Sequence, residues 1–204
     1  YNGAILQQFT VGGMDRDYGR DIFPLLLGGY IILGETKSYG LGNYDVWLVR
    51  TDDNGEIVWD KSIGSSGQDY ARRILQSTDD GYFILAVNGN PPDDKGPIWL
   101  IKTDLEGNIS WSKYFGAPAD NNPETPEDNG ADMAFSSDGD LLIVGTTYMN
   151  GNPDIYFIKC DVFGNIIFER TYGEDADDHG LSISLVEDNG YIITGETQSY
   201  GAVG

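Results

Sequence analysis

Short apolar runs broken by polar, glycine-bearing turns recur along the whole chain, and the second set is the easiest to parse. The first run of that set is Tyr70 to Gln76. The turn STDDG then leads into Tyr82 to Val87, a third run covers Ile98 to Thr103, and a fourth, Ile109 to Phe115, follows the turn Asp104-Leu105-Glu106-Gly107-Asn108. Runs of six or seven residues bounded by Gly, Asn and Asp predict strands rather than helices. We label the four strands A to D in order.

The same sentence is written four times. Gly3, Gly55, Gly107 and Gly164 fall in one column and Ile5, Ile57, Ile109 and Ile166 in another, giving periods of 52, 52 and 57 residues. A period near fifty made of short strands predicts propeller blades. Strand C reads DVWLVRTD from Asp45, PIWLIKTD from Pro97 and DIYFIKCD from Asp154, apolar on both faces. Such a strand needs cover on two sides, which blades stacked face to face supply.

The predicted fold is therefore an all-β β-propeller of four-stranded antiparallel blades, with about four repeats of 52 to 57 residues visible. Residues 1–204 read as one propeller domain or propeller fragment: a lone strand D at 4–10, blades at about 17–63, 69–115 and 128–172, and a partial blade at 178–204. Strand C of that last blade is not in the sequence. Because GETQSYGAVG at Gly195 repeats GETKSYGLGN at Gly34, after which strand C follows at once, the natural protein is expected to continue past Gly204. The chain also opens on Tyr1 without Met, as a processed product or a fragment would. The remaining propeller strands, or a neighbouring subunit, are then the first partners to expect.

Two columns invite a chemical reading. The pairs Asn54-Gly55, Gly107-Asn108 and Gly164-Asn165 stand at the C to D turns, where positive φ is required. Although Asp52-Asp53-Asn54-Gly55 has the look of a calcium loop, it lacks the bidentate Glu at its twelfth position. Asp17, Asp69, Asp128 and Asp178 precede strand A once per blade, a spacing that suits carboxylates accepting backbone N–H bonds and fixing the D to A connection. His179, the single His, has no nucleophile of its kind beside it in sequence, and Cys160, the single Cys, replaces Thr51 and Thr103 at the end of strand C as a small core residue.

Charge narrows the field. Thirty-three Asp and Glu against twelve Lys and Arg give a net charge of −21, which argues against nucleic acid and anionic membrane surfaces. Oxygen-seeking cations fit better, so calcium is the one candidate cofactor, with Glu174, Asp175, Asp177 and Asp178 as its candidate ligands. The longest apolar stretch, Ile22 to Gly34, is too short to span a membrane and contains Pro24, Gly28 and Gly29, so no transmembrane segment is expected.

With these columns assembled, the chain resembles the SBBP family, the seven-bladed β-propeller repeats of bacteria and archaea. The resemblance rests on SIGSSGQDYARRI (Ser62 to Ile74), TYGEDADDHGLSI (Thr171 to Ile183), DGYFILA (Asp80 to Ala86), NGYIITGET (Asn189 to Thr197) and the strand C phrases. It implies a propeller in a secreted or cell-surface protein, an extracellular or cell-surface location, and no assigned activity. The GNI-x-W words also look like the Trp-containing blades of quinoproteins, but no quinone site can be matched. Two departures stand out: an insertion, Ala117 to Gly130, and Leu26-Leu27-Gly28 at a turn that is polar in the sister copies.

The leading functional expectation is a non-catalytic propeller module that scaffolds or binds a protein or carbohydrate partner through its D to A and B to C loops. Those loops vary in length, and they carry Tyr39, Asp93, Asp94, Tyr148, Asn150 and Tyr200. Two alternatives stand beside it. One is a propeller-type lyase or glycosidase using acidic and Tyr loop residues; the other is a structural repeat of an extracellular filament or surface layer. Leu25, Leu26 and Leu27, with the open strand edges at Ala4 to Thr10 and Tyr191 to Gly195, are the expected interface.

Overall fold

The computed structural model describes residues 4–5, 7–78, 81–89, 96–116, 129–148 and 151–199. Among them the chain is all-β, with fourteen strands and no helix. The first sheet joins β1 (Asp17–Pro24), β2 (Tyr30–Thr36), β3 (Asp45–Thr51) and β4 (Ile57–Ile63). The second joins β5 (Asp69–Gln76), β6 (Tyr82–Asn88), β7 (Ile98–Thr103) and β8 (Ile109–Phe115). The third joins β9 (Asn129–Phe135), β10 (Leu141–Thr147), β11 (Asp154–Cys160) and β12 (Ile166–Tyr172), and the fourth holds only β13 (Asp178–Leu185) and β14 (Tyr191–Thr197). Every pairing within these sheets is antiparallel and sequential.

Side chains of the second sheet alternate between two cores. Tyr82, Ile84, Ala86, Trp99 and Ile101 pack against Ile31, Leu33, Val46 and Leu48 of the first sheet. Phe83, Leu85, Ile98 and Leu100 face the other way, onto Met133, Leu141, Ile143, Tyr156, Ile158 and Cys160 of the third. The period-two pattern of a strand therefore feeds both neighbours, and the doubly apolar strand C phrases are satisfied as expected. A third core sets Leu142, Val144 and Phe157 against Ile183 of the fourth sheet.

Registration between sheets runs through their first strands. β5 packs on β1, β2 and β3; β9 on β5, β6 and β7; β13 on β9, β10 and β11. The fourth strands lie at the far side, and β4 and β8 share one pattern of alternating exposure. Trp59 of β4 lies over Gly107 of the next sheet, and Trp111 of β8 over Gly164, where a Cβ would come within 3.0 Å of the indole. A larger residue at either glycine would push the sheets apart.

One expected element is corrected. The described residues of the 4–10 segment form no strand. The segment still seats on the first sheet as an outer strand would. Phe9 covers Gly55 and stands 6.0 Å from the Tyr30 ring, and Gln7 Nε2 donates to the Asp53 carbonyl at 2.6 Å. The expected insertion from Ala117 lies almost wholly outside the described residues.

Two glycines test this packing. A Cβ on Gly81 would sit 1.9 Å from the Thr103 carbonyl oxygen, while one on Gly19 meets nothing within 4 Å. Gly81→Ala is expected to destabilise by roughly 1–3 kcal/mol or more, the range for forced overpacking. Gly19→Ala stays within about 0.5 kcal/mol, as an unobstructed surface change does. Urea unfolding of both variants measures the difference.

Candidate functional site

The two loop classes expected to share one end do so. Asn43 N donates to the Gly67 carbonyl, Asp69 N donates to the Tyr44 carbonyl, and Tyr44 bridges Gln68, tying the β2–β3 loop to the β4–β5 loop. At the third junction Asn152 Nδ2 donates to the Glu174 and Ala176 carbonyls. The opposite end holds the tight turns, where Gly29 N donates to Asp53 and Lys159 pairs with Asp138 and Asp140.

The recurring aspartate column is the clamp at the loop end. Asp17 accepts bonds from Thr36 Oγ1, Ser38 Oγ and Gly13 N, and Asp69 from Asn88 Nδ2 and Ser65 N. Asp178 accepts from Ser199 Oγ at 2.6 Å. Burial pushes the Asp17 carboxyl up, but its hydrogen bonds from Thr36, Gly13 and Ser38 outweigh that and leave it below the usual value. Asp69 moves the other way, raised first by burial and further by the neighbouring Asp45 carboxylate. These two face each other across Gly64, whose Cβ would fall 1.9 Å from Asp45 Oδ1 and 2.5 Å from Asp69 Oδ2. Only glycine leaves room there. Asp128, the remaining member of the column, lies outside the described residues.

A second recurring device was not visible in the sequence pattern. Every first strand carries a β-bulge that leaves one residue out of register: Arg20 in β1, Arg72 in β5, Ala131 in β9 and Leu181 in β13. Bulges re-aim side chains. Here both arginines converge on Glu35 of β2, whose carboxylate is almost fully buried at the junction of the first two sheets. Arg20 grips it with two bonds of 3.0 and 2.6 Å, Ala71 N donates at 3.1 Å, and Arg72 Nη1 stands 3.8 Å away. Arg20 lies over the Tyr18 ring and Arg72 over the Tyr70 ring, at 5.6 and 5.5 Å from the centroids. Arg72 also donates to Asn129 Oδ1.

Along β1, β2 and β5 this makes a row of Tyr, Arg and Glu in the half nearer the loop clamps. The only sequence trace was an Arg three residues after the column Asp in copies one and two. His179 continues the Tyr18, Tyr70, Asn129 column, with its Nδ1 3.4 Å from Thr146 Oγ1. Arg73, next to the bulge, points elsewhere, toward Asp21 and Asp132 at 3.7 and 3.4 Å. Asp21 accepts Ile74 N of the next sheet and Asp132 accepts Ile183 N of the fourth.

Of the other expected site residues, Tyr39 is exposed and packs against Trp47 with ring centroids 5.5 Å apart, and Tyr148 is half-buried. Asp93, Asp94, Asn150 and Tyr200 lie outside the described residues. Glu174, Asp175, Asp177 and Asp178 do not converge as a metal shell: no group of three or more His, Cys, Asp or Glu placed to hold a metal ion occurs among the described residues, and Asp178 is turned inward to Ser199. Leu25 is also reassigned, because it packs against the core between the first two sheets and only Leu26 and Leu27 stand in solvent. Cys160 is buried, and burial pushes its thiol up to about 12. No helix among the described residues is long and apolar enough to cross a membrane.

Comparison with protein-family models and with curated proteins returned no match for this chain.

Glu35→Gln is expected to destabilise by about 1–3 kcal/mol, because it removes charge-assisted bonds but leaves an Arg20 that water can reach. Combined with Arg20→Gln in a double-mutant cycle it should give a coupling above roughly 0.5 kcal/mol, read by denaturant titration. Asp69 supplies a pH test. A carboxyl raised on folding contributes stability that is present below its unfolded value near 4 and is lost as pH rises. The Tm of Asp69→Asn relative to the parent should therefore climb between about pH 4 and pH 7.

Proposed function

We propose that this chain is a β-propeller module of a secreted or cell-surface protein that binds a protein or carbohydrate partner at its loop end. Support for the propeller comes from the way each sheet adds to the last. Four-strand meanders of one register stack face to face, with first strands gathered at one side and fourth strands at the other. A fan of that kind closes into a ring when further copies of the same repeat follow. The SBBP resemblance supports the same reading and the extracellular location.

The single observation behind the binding role is the coincidence of variable loops and the bulged row at one end of a rigid stack. The loops are clamped by Asp17 and Asp69, and beneath them Tyr18, Arg20, Tyr70 and Arg72 present ring faces and guanidinium groups. Tyr and Arg are the side chains over-represented where binding energy concentrates. In a chain of net charge −21, the Arg20, Arg72 and Glu35 cluster is a local excess of one positive charge. That suits a polar or carboxylate-bearing partner better than a cationic one.

A panel of neutral and uronate-containing oligosaccharides and of extracellular proteins, presented to the 204-residue chain, tests this. A ligand should be found whose affinity falls at least about tenfold in Tyr70→Ala and in Tyr39→Ala, with Tm nearly unchanged. Binding unaffected by both substitutions would move the site off the loop end. Cleavage of a panel oligosaccharide would place the protein with the lyases or glycosidases.

A further inference from the structure

β14 has the sequence YIITGET, and β2 has YIILGET. Six of the seven residues are the same and sit at the same register: Gly34 pairs with Gly19 and Gly195 with Gly180, each followed by the bulge. Their surroundings differ completely. β2 is paired on both edges and its last four residues are buried, whereas β14 is paired on one edge and is exposed at every position but Ile193. Among the described residues no strand joins its outer edge. An open edge with this composition is a template for strand addition.

The three complete sheets show what lies against a second strand of this kind. In each, a third strand runs antiparallel with its aromatic residue opposite a small one: Trp47 against Gly34, Trp99 against Ala86, Tyr156 against Gly145. At one end Thr51, Thr103 or Cys160 lies opposite Tyr30, Tyr82 or Leu141, and at the other Asp45 or Asp154 lies opposite Thr36 or Thr147. The glycine at this position is set by the first strand: a Cβ would meet the Tyr18 carbonyl oxygen at 2.3 Å on Gly34, that of Asn129 at 2.1 Å on Gly145 and that of His179 at 2.1 Å on Gly195. β14 keeps every one of these positions, with Tyr191 at one end, Gly195 where the aromatic residue pairs and Thr197 at the other.

We infer that the outer edge of β14 binds one strand from a further copy of this repeat, of the pattern Asp, apolar, aromatic, apolar, apolar, basic, Thr. It adds antiparallel, with its aromatic residue opposite Gly195, its Asp opposite Thr197 and its Thr opposite Tyr191. The inference deepens the propeller reading, yet it depends only on the register of the sheets and not on ring closure.

A peptide of the Asp45–Asp52 sequence with Gly-Ser flanks is the probe, added to the intact 204-residue chain. Saturable binding is expected, with amide hydrogen exchange at Tyr191 to Thr197 slowed at least about tenfold and the other sheets unchanged. Peptides carrying Trp47→Ala or Leu48→Pro should lose that protection, the first by emptying the space over Gly195 and the second by breaking the ladder. Absence of saturable binding, or equal protection from either altered peptide, would overturn the assignment. So would a dimer that protects the same amides without peptide, since it would give the edge to β14 of a second copy. The proposed binding at the loop end is tested separately by the ligand panel, so a failure here leaves that reading standing.

Discussion

The structure depends on one constraint: second and third strands that are apolar on both faces must be covered from two sides. β6 and β7 show it fully, with alternate residues delivered to two different cores and every side chain buried. A lone four-stranded sheet of this sequence would leave a whole apolar face in water, so each repeat is unstable until its neighbours arrive. Polar devices then set how the sheets meet. Asp21 and Asp132 accept N–H groups from the next first strand, and Glu35 accepts that of Ala71. Hydrophobic burial supplies the attraction, while these bonds fix the offset, since a buried donor left unmet costs about 1–3 kcal/mol.

The bulge in each first strand links packing to function. One extra residue takes the side chain out of the alternation between the two cores. Arg20 and Arg72 use that freedom to meet over Glu35, with their guanidinium groups over the rings of Tyr18 and Tyr70. Ala131 and Leu181 hold the same position in the other two sheets, and there the polar connection is Thr146 with His179 instead. The polar groups of the row thus change along the stack, although the backbone beneath it repeats.

Strand positions were legible because period-two burial and turn chemistry are local. The C and D strands of the second repeat begin and end where the residue pattern placed them, at Ile98–Thr103 and Ile109–Phe115. The pairing of loop ends was also legible, through the once-per-repeat aspartates. What the pattern could not show was anything that depends on two distant segments. Glu35 reads as an ordinary polar residue near the end of a strand, and only the approach of β5 makes it a buried charge. The bulge is invisible for a related reason, because it is a mismatch between two strands and leaves no mark on one. Segment 4–10 erred in the opposite direction: its residues match a fourth strand, but strand structure requires a partner, and its contacts are to Gly55, Tyr30 and Asp53 instead.

β2 and β14 put the same point in its sharpest form. Nearly one sequence adopts one backbone in both places, down to the glycine opposite a glycine and the bulge beyond it. Local preference, one paired strand and the third sheet on one face are therefore enough to set the conformation. They are not enough to bury it: Ile31 is fully buried, whereas Ile192, its counterpart, is 54% exposed. At roughly 25 cal/mol per Å² of apolar surface removed from water, a strand laid beside β14 and a sheet laid over it would bring the burial that β2 already has. Each repeat so carries the conformation of its strands in its own sequence, and obtains its stability from the neighbouring copies.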